Sequence, residues 1–233
     1  MGETTAERLR NLFETWSHQF GTRWEYTLGP GLTDVQMRRV QERYDLRFPP
    51  DLVELFSELV PLGPRFYDWA DETPENVAHI RGMIGWPVEG VLFDVENNAV
   101  WLPEWGERPA QKEDAIALAA EHLGTAPHLV PLMGHRYLPT EPCKSGNPVF
   151  SIYQTDMIVY GRDLNDYFHN ELGGSRTSDM SNIWAEPQEP LLAAIRAVPV
   201  WGQFVLENEF WTGDDSDEAP LHLEQRQLKD LDH

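Results

Sequence analysis

The sequence predicts an α+β fold: a twisted, mostly antiparallel sheet with helices packed on one side, in a single domain. Two patterns lead to it. Apolar stripes at helical spacing fill the first sixty residues, and short apolar runs separated by Pro and Gly turns fill Leu129 to Tyr160. A third observation is size. A chain of 233 residues buries roughly 70–75% of its unfolded surface and needs no staples.

Each element has its own signal. Thr4 and Glu7 have capping-box spacing, and Leu9, Leu12, Phe13, Trp16 and Phe20 follow on one stripe until Gly21. Gly29-Pro30-Gly31 reads as a turn. Thr33 caps a second helix with Gln36 in the capping-box position, and Met37, Val40 and Tyr44 face inward. Pro50 suits the first turn of a third helix with inner face Leu52, Leu55, Phe56 and Leu59. Glu75 to Ile84 reads as a helix, Gly90 to Val95 as a strand, Asn97-Asn98 as a turn and Ala99 to Leu102 as a returning strand. Gln111 to Leu123 is an alanine-rich helix ended by Gly124. Strands follow at Leu129–Met133, Arg136–Leu138, Val149–Tyr153 and Met157–Tyr160, then a helix over Asp163–Leu172 closed by Gly173-Gly174. Ser175 to Glu186 reads as a polar loop and Glu189 to Val198 as a helix. From Thr212 the chain reads as an acidic extension with a weak helix at Leu223–Leu231. The expected organisation is an N-terminal helical extension over 1–30, the main domain over 31–211 and the acidic tail over 212–233.

Composition excludes several classes of function. Eighteen basic residues against thirty-nine acidic ones give a net charge of −21. Such a chain repels nucleic acid and anionic membranes; solubility alone is the simpler reading of the surplus, and attraction of a basic partner the functional one. No apolar run approaches the ~20 residues needed to cross a membrane. Met1 to Glu7 lacks the apolar stretch of a signal peptide. Cys143 is the single cysteine, so no internal disulfide forms, and a cytoplasmic location is expected.

One stretch carries a resemblance. Val130-Pro131-Leu132-Met133-Gly134-His135-Arg136-Tyr137-Leu138-Pro139 is followed by Gly146-Asn147-Pro148-Val149-Phe150-Ser151-Ile152-Tyr153-Gln154-Thr155-Asp156 and then by Ile158 to Phe168. Upstream, a capped helix from Leu32-Thr33-Asp34 leads through Arg47-Phe48-Pro49-Pro50 into a second helix. This wording, from Leu32 to Leu172, resembles the SUKH superfamily of yeast cell-wall assembly regulators and bacterial toxin-immunity proteins. The N-terminal helix, the insertion around Gly106–Thr125 and the acidic tail depart from its simplest members. The resemblance implies a SUKH-like fold and a non-enzymatic protein that holds a partner, in the immunity type by covering the active site of a toxin domain.

Motifs of catalysis are scarce. There is no G-x-S-x-G elbow, P-loop, G-x-G-x-x-G or H-E-x-x-H. His122, His128 and His135, with Glu121, are the only close histidine group. Their spacing fits no ligand pattern, and helix-end and loop histidines explain them more simply. Cys143, with Lys144 beside it and His135 near in sequence, could serve as a nucleophile or be an ordinary loop residue. Asp156, Asp163 and Asp166 could do acid–base chemistry; a strand turn and a helix N-cap account for the first two. Asp214 to Glu218 lacks the glycine and terminal glutamate of a calcium loop. No catalytic, cofactor or metal site is expected.

Tyr67, Trp69, Trp86, Trp101, Trp105 and Tyr137 can be core or interface anchors. The candidate partner-binding set is Tyr67, Trp69, Trp101, Trp105, Tyr137 and Asp156, with Trp69 and Trp105 foremost because acidic loops flank them. The expected function is binding and neutralising a basic, nuclease-like toxin domain. A regulatory scaffold of the same fold, and a hydrolase or metal enzyme around His135, Arg136 and Asp156, are the alternatives.

Overall fold

The computed structural model describes residues 4–20, 26–172 and 189–209, at 16–20 and 209 for the backbone alone. The expected stops at Gly21 and Gly173-Gly174, the side chains of Trp16 and Phe20, the loop Ser175–Glu186 and everything from Thr212 lie outside the described residues.

The first helix, α1 (Thr5–Phe20), starts where the capping box places it. Thr4 N–H donates to Glu7 Oε2 at 2.9 Å, and Glu7 N–H donates to Thr4 Oγ1 at 3.1 Å. Its Ala6, Leu9 and Phe13 enter the core. Helices α2 (Asp34–Tyr44) and α3 (Pro50–Glu58) also follow the sequence, with Met37, Val40, Tyr44, Leu52, Leu55 and Phe56 buried.

The expected turn at Gly29-Pro30-Gly31 is different. Thr27–Pro30 is a strand, β1, antiparallel to β2 (Leu59–Leu62), with Thr27 opposite Leu62 and Pro30 opposite Leu59. Proline is tolerated in a two-stranded edge pair, where not every residue must donate. Gly31 then passes so close to α3 that a Cβ would lie 2.1 Å from Ser57 O. The Pro-Gly wording reflects this close approach rather than a reversal of the chain.

The largest departure is α4, which runs unbroken from Pro74 to Asn97 and absorbs the expected strand Gly90–Val95. Its inner face, Ile80, Ile84, Pro87, Val91 and Val95, has helical spacing. Pro87 breaks the rhythm in sequence because it has no N–H to give the carbonyl four residues back. Tyr137 OH takes that role, donating to Met83 O at 2.8 Å. The expected return strand Ala99–Leu102 is also absent: an irregular segment leads into a 3-10 turn at Pro103–Trp105. Helix α5 (Lys112–Leu123) follows as expected.

The main sheet is antiparallel in the order β3 (Leu129–Met133), β4 (Arg136–Pro139), β5 (Val149–Tyr153), β6 (Asp156–Gly161). Then come α6 (Leu164–Leu172), α7 (Glu189–Arg196) and α8 (Trp201–Glu209). Asp163 caps α6, its Oδ1 accepting from Asp166 N–H at 2.8 Å.

The α+β class therefore holds, but helices cover both faces of this sheet rather than one. Val130, Leu132, Leu138 and Val149 join α1, α2, α3 and α6 in one core. Leu129, Tyr137, Phe150, Ile152, Met157 and Val159 join α5, α7 and α8 in a second. Helix α4 spans both, with Ile80 and Ile84 in the first and Val91 and Val95 in the second. Among the described residues no helix is long and apolar enough to cross a membrane.

Candidate partner-binding surface

Four of the six expected contact residues are core. Trp69 is 2% exposed and packs edge-to-face on Tyr44 and Phe48, with ring centroids 5.6 and 5.5 Å away. Tyr67 is buried, donates its OH to Gly134 O at 2.6 Å, and has its pKa pushed up to about 12 by that burial. Tyr137 is fully enclosed and occupied with Met83. Trp105 is 8% exposed; it stacks on His122 and meets Phe204 and Trp101 edge-on. These four are corrections: Glu104 and Glu107 beside Trp105 face water, Asp68 and Asp71 beside Trp69 are half-buried and accept backbone N–H bonds, and the rings turn under the chain. Trp101 is half-buried and donates its indole N–H to Gly106 O at 2.8 Å, and Asp156 is half-buried at the start of β6.

Among the described residues the exposed large hydrophobics are Val35, Trp86, Phe93 and Tyr153. Three of these four stand together. Trp86 and Phe93 are seven residues apart on α4, hence on one side of it, opposite the buried Ile84, Val91 and Val95. Tyr153 ends β5, and its ring centroid is 6.5 Å from that of Trp86. Glu89 follows Trp86 by one turn, and its Oε1 lies back beside Gly85. Asp156 stands directly opposite Tyr153 in the hairpin register, so both project from the same face of the sheet.

The β5–β6 turn is fastened from two sides. Buried Asp94 accepts from Thr155 N–H at 2.9 Å and Thr155 Oγ1 at 2.6 Å through Oδ2, and from Asn98 Nδ2 at 2.6 Å through Oδ1. Asn208 of α8 donates to Thr155 O at 2.6 Å. Gly90 lets the turn lie directly on α4: a Cβ there would sit 2.8 Å from Gln154 Cα. Gln154 itself takes a left-handed conformation, φ 56°. These contacts fix Tyr153 beside Trp86 before any partner arrives.

The residues of the hydrolytic alternative do not assemble. Arg136 is opposite Ser151 on β5, so a whole strand separates it from Asp156 on β6. Its guanidinium is occupied: Nη1 donates to Ser151 Oγ at 2.8 Å, and the group lies 3.8 Å over the Tyr160 ring. Its Nε approaches Glu171 Oε2 to 3.4 Å, a charge contact without hydrogen-bond geometry. Burial, with Arg136 and Arg65 nearby, pushes the His135 pKa down to about 4. His122 stacks on Trp105, and His128 Nδ1 lies 3.3 Å from Asp45 O. Among the described residues no group of three or more His, Cys, Asp and Glu is placed to hold a metal ion. Cys143 is half-buried, its thiol 3.7 Å from Phe48 O. Burial raises the Asp166 carboxyl, but hydrogen bonds from Arg162 outweigh it and hold the pKa below its usual value.

Comparison of the chain with protein-family models, with curated proteins and with solved structures finds no match in any of the three. The surface itself is therefore the guide to function.

Sequence reasoning missed Phe93, Tyr153, Asp94 and Asn208 as parts of this surface, and weighed Trp86 without choosing it. One signal was available. Reading residues 74–97 as one helix would have put Trp86, Glu89 and Phe93 opposite the apolar stripe. Pro87 and Gly90 hid it.

Proposed function

We propose that this chain is a non-enzymatic protein-binding module of the SUKH type, an immunity protein that binds and neutralises a basic, nuclease-like toxin domain in the cytoplasm. The observation that carries the reading is the exposed aromatic group Trp86, Phe93 and Tyr153 on a fastened hairpin–helix junction. Clustered exposed aromatics are the usual anchors of protein interfaces. The charge of −21 supports a basic partner, which such a surplus would steer and speed on approach. The resemblance over Leu32–Leu172 supports the immunity type.

The test is calorimetric titration of the full chain against the toxin domains encoded beside its gene, repeated at rising salt. A one-to-one complex that weakens with salt and abolishes the toxin's activity is the expected result. Absence of binding to every such domain at low salt overturns the reading.

A further inference from the structure

We infer that the α4–hairpin face is a receptor for an arginine-bearing segment of a basic protein partner. The inference rests on the protein-binding reading above and names the chemistry of its contact.

The face offers two aromatic rings and, from neighbouring positions of the same two elements, two carboxylates. Trp86 has Glu89 one helical turn on, and Tyr153 has Asp156 across the hairpin. Trp86, Phe93 and Tyr153 are 38%, 49% and 45% exposed, so part of each ring remains available for contact. A guanidinium is planar: it can stack on an indole or phenol face while its edge forks onto a carboxylate. An ammonium group matches the charge but neither the plane nor the fork. Phe93, further along α4, would take an apolar neighbour of that arginine. The Asp94–Thr155–Asn208 fastening reduces the ordering cost of binding, since Tyr153 is already held near Trp86.

Other occupants fit less well. Nucleic acid and acidic peptides would meet Glu89 and Asp156 and the −21 of the whole chain. A second copy would bring two such charges together.

The probes are three synthetic peptides of one frame, with leucine at the apolar positions and arginine, lysine or glutamate at the charged ones. Each is titrated into the full chain at low salt, and binding is located by amide hydrogen exchange. The arginine peptide is expected to bind about tenfold tighter than the lysine peptide, and the glutamate peptide not at all. Protection should appear in the second half of α4 and in the β5–β6 hairpin. Trp86→Ala should weaken the arginine peptide about tenfold and erase the preference over lysine. Glu89→Gln should weaken it less, and Val35→Ala, at an exposed apolar side chain on α2, should change nothing. Equal binding of arginine and lysine peptides, unchanged binding in Trp86→Ala, protection elsewhere, or no binding would each overturn the inference. None of these results decides the immunity reading, which would lose this face as its support but is tested by titration against the toxin domain. Conversely, a toxin domain that binds wild type and Trp86→Ala alike would keep that reading and overturn this face.

Discussion

The segment Phe66–Trp69 and the α4–hairpin face are both aromatic and both flanked by carboxylates, yet the first is core and the second is surface. Around Trp69 the chain is a loop, free to fold its rings beneath itself while Asp68 binds backbone N–H groups of Ala70 and Asp71 at the rim. On α4 the helix dictates direction. Its inner face is already filled by Ile80, Ile84, Val91 and Val95, so Trp86 and Phe93 must point outward. Exposure of an aromatic is thus set by the geometry of its element, and neighbouring charges are a poor guide to it.

That contrast can be broken in a graded way. The largest effect belongs to the buried side: Trp69→Ala should destabilise the protein by about 3–5 kcal/mol, read as a fall in the urea midpoint. A loss below about 1 kcal/mol would mean the ring is not core. Next is Tyr137→Phe, which keeps the packing but leaves Met83 O without a donor where Pro87 cannot supply one. A cost of about 1–2 kcal/mol is expected, and a neutral result would remove this account of how α4 continues through proline.

A smaller effect depends on pH. His135 is held neutral in the fold, its pKa pushed down to about 4, whereas the unfolded chain takes up a proton near the ordinary 6.5. Its contribution is whole above pH 6.5 and is lost as pH falls through about 4. Between pH 7 and 5 wild type should lose about 1 kcal/mol more than His135→Gln, after allowance for partial solvent exposure. Parallel profiles for the two proteins would contradict the burial. The smallest effect on stability belongs to the surface: Trp86→Ala should change it by about 0.5 kcal/mol or less. A loss near that of Trp69→Ala would make the two regions alike and end the comparison.

Much of the fold was legible because its signals are local. The capping pairs Thr4–Glu7 and Thr33–Gln36, Pro50 at a helix start, Asp163 at a cap and the apolar runs of the four main strands each act within a few residues. The failures involve distant partners. Gly29-Pro30 is a strand because Val60 and Leu59 lie alongside, and α4 runs on past Pro87 into Gly90–Val95 with Met83 O satisfied by a tyrosine hydroxyl from β4. The candidate surface was less legible still, since it joins residues of α4 to a hairpin sixty positions on through Asp94 and Thr155.

By itself, then, the sequence determined the class of the fold, the position of most helices and strands and the acidic character of the molecule, because propensity, capping and charge are properties of short segments. Tertiary structure alone decided which aromatics are buried, how α4 survives Pro87 and which three rings share a surface. Those outcomes depend on what fills the space beside each residue, and that space is furnished by parts of the chain far away in sequence.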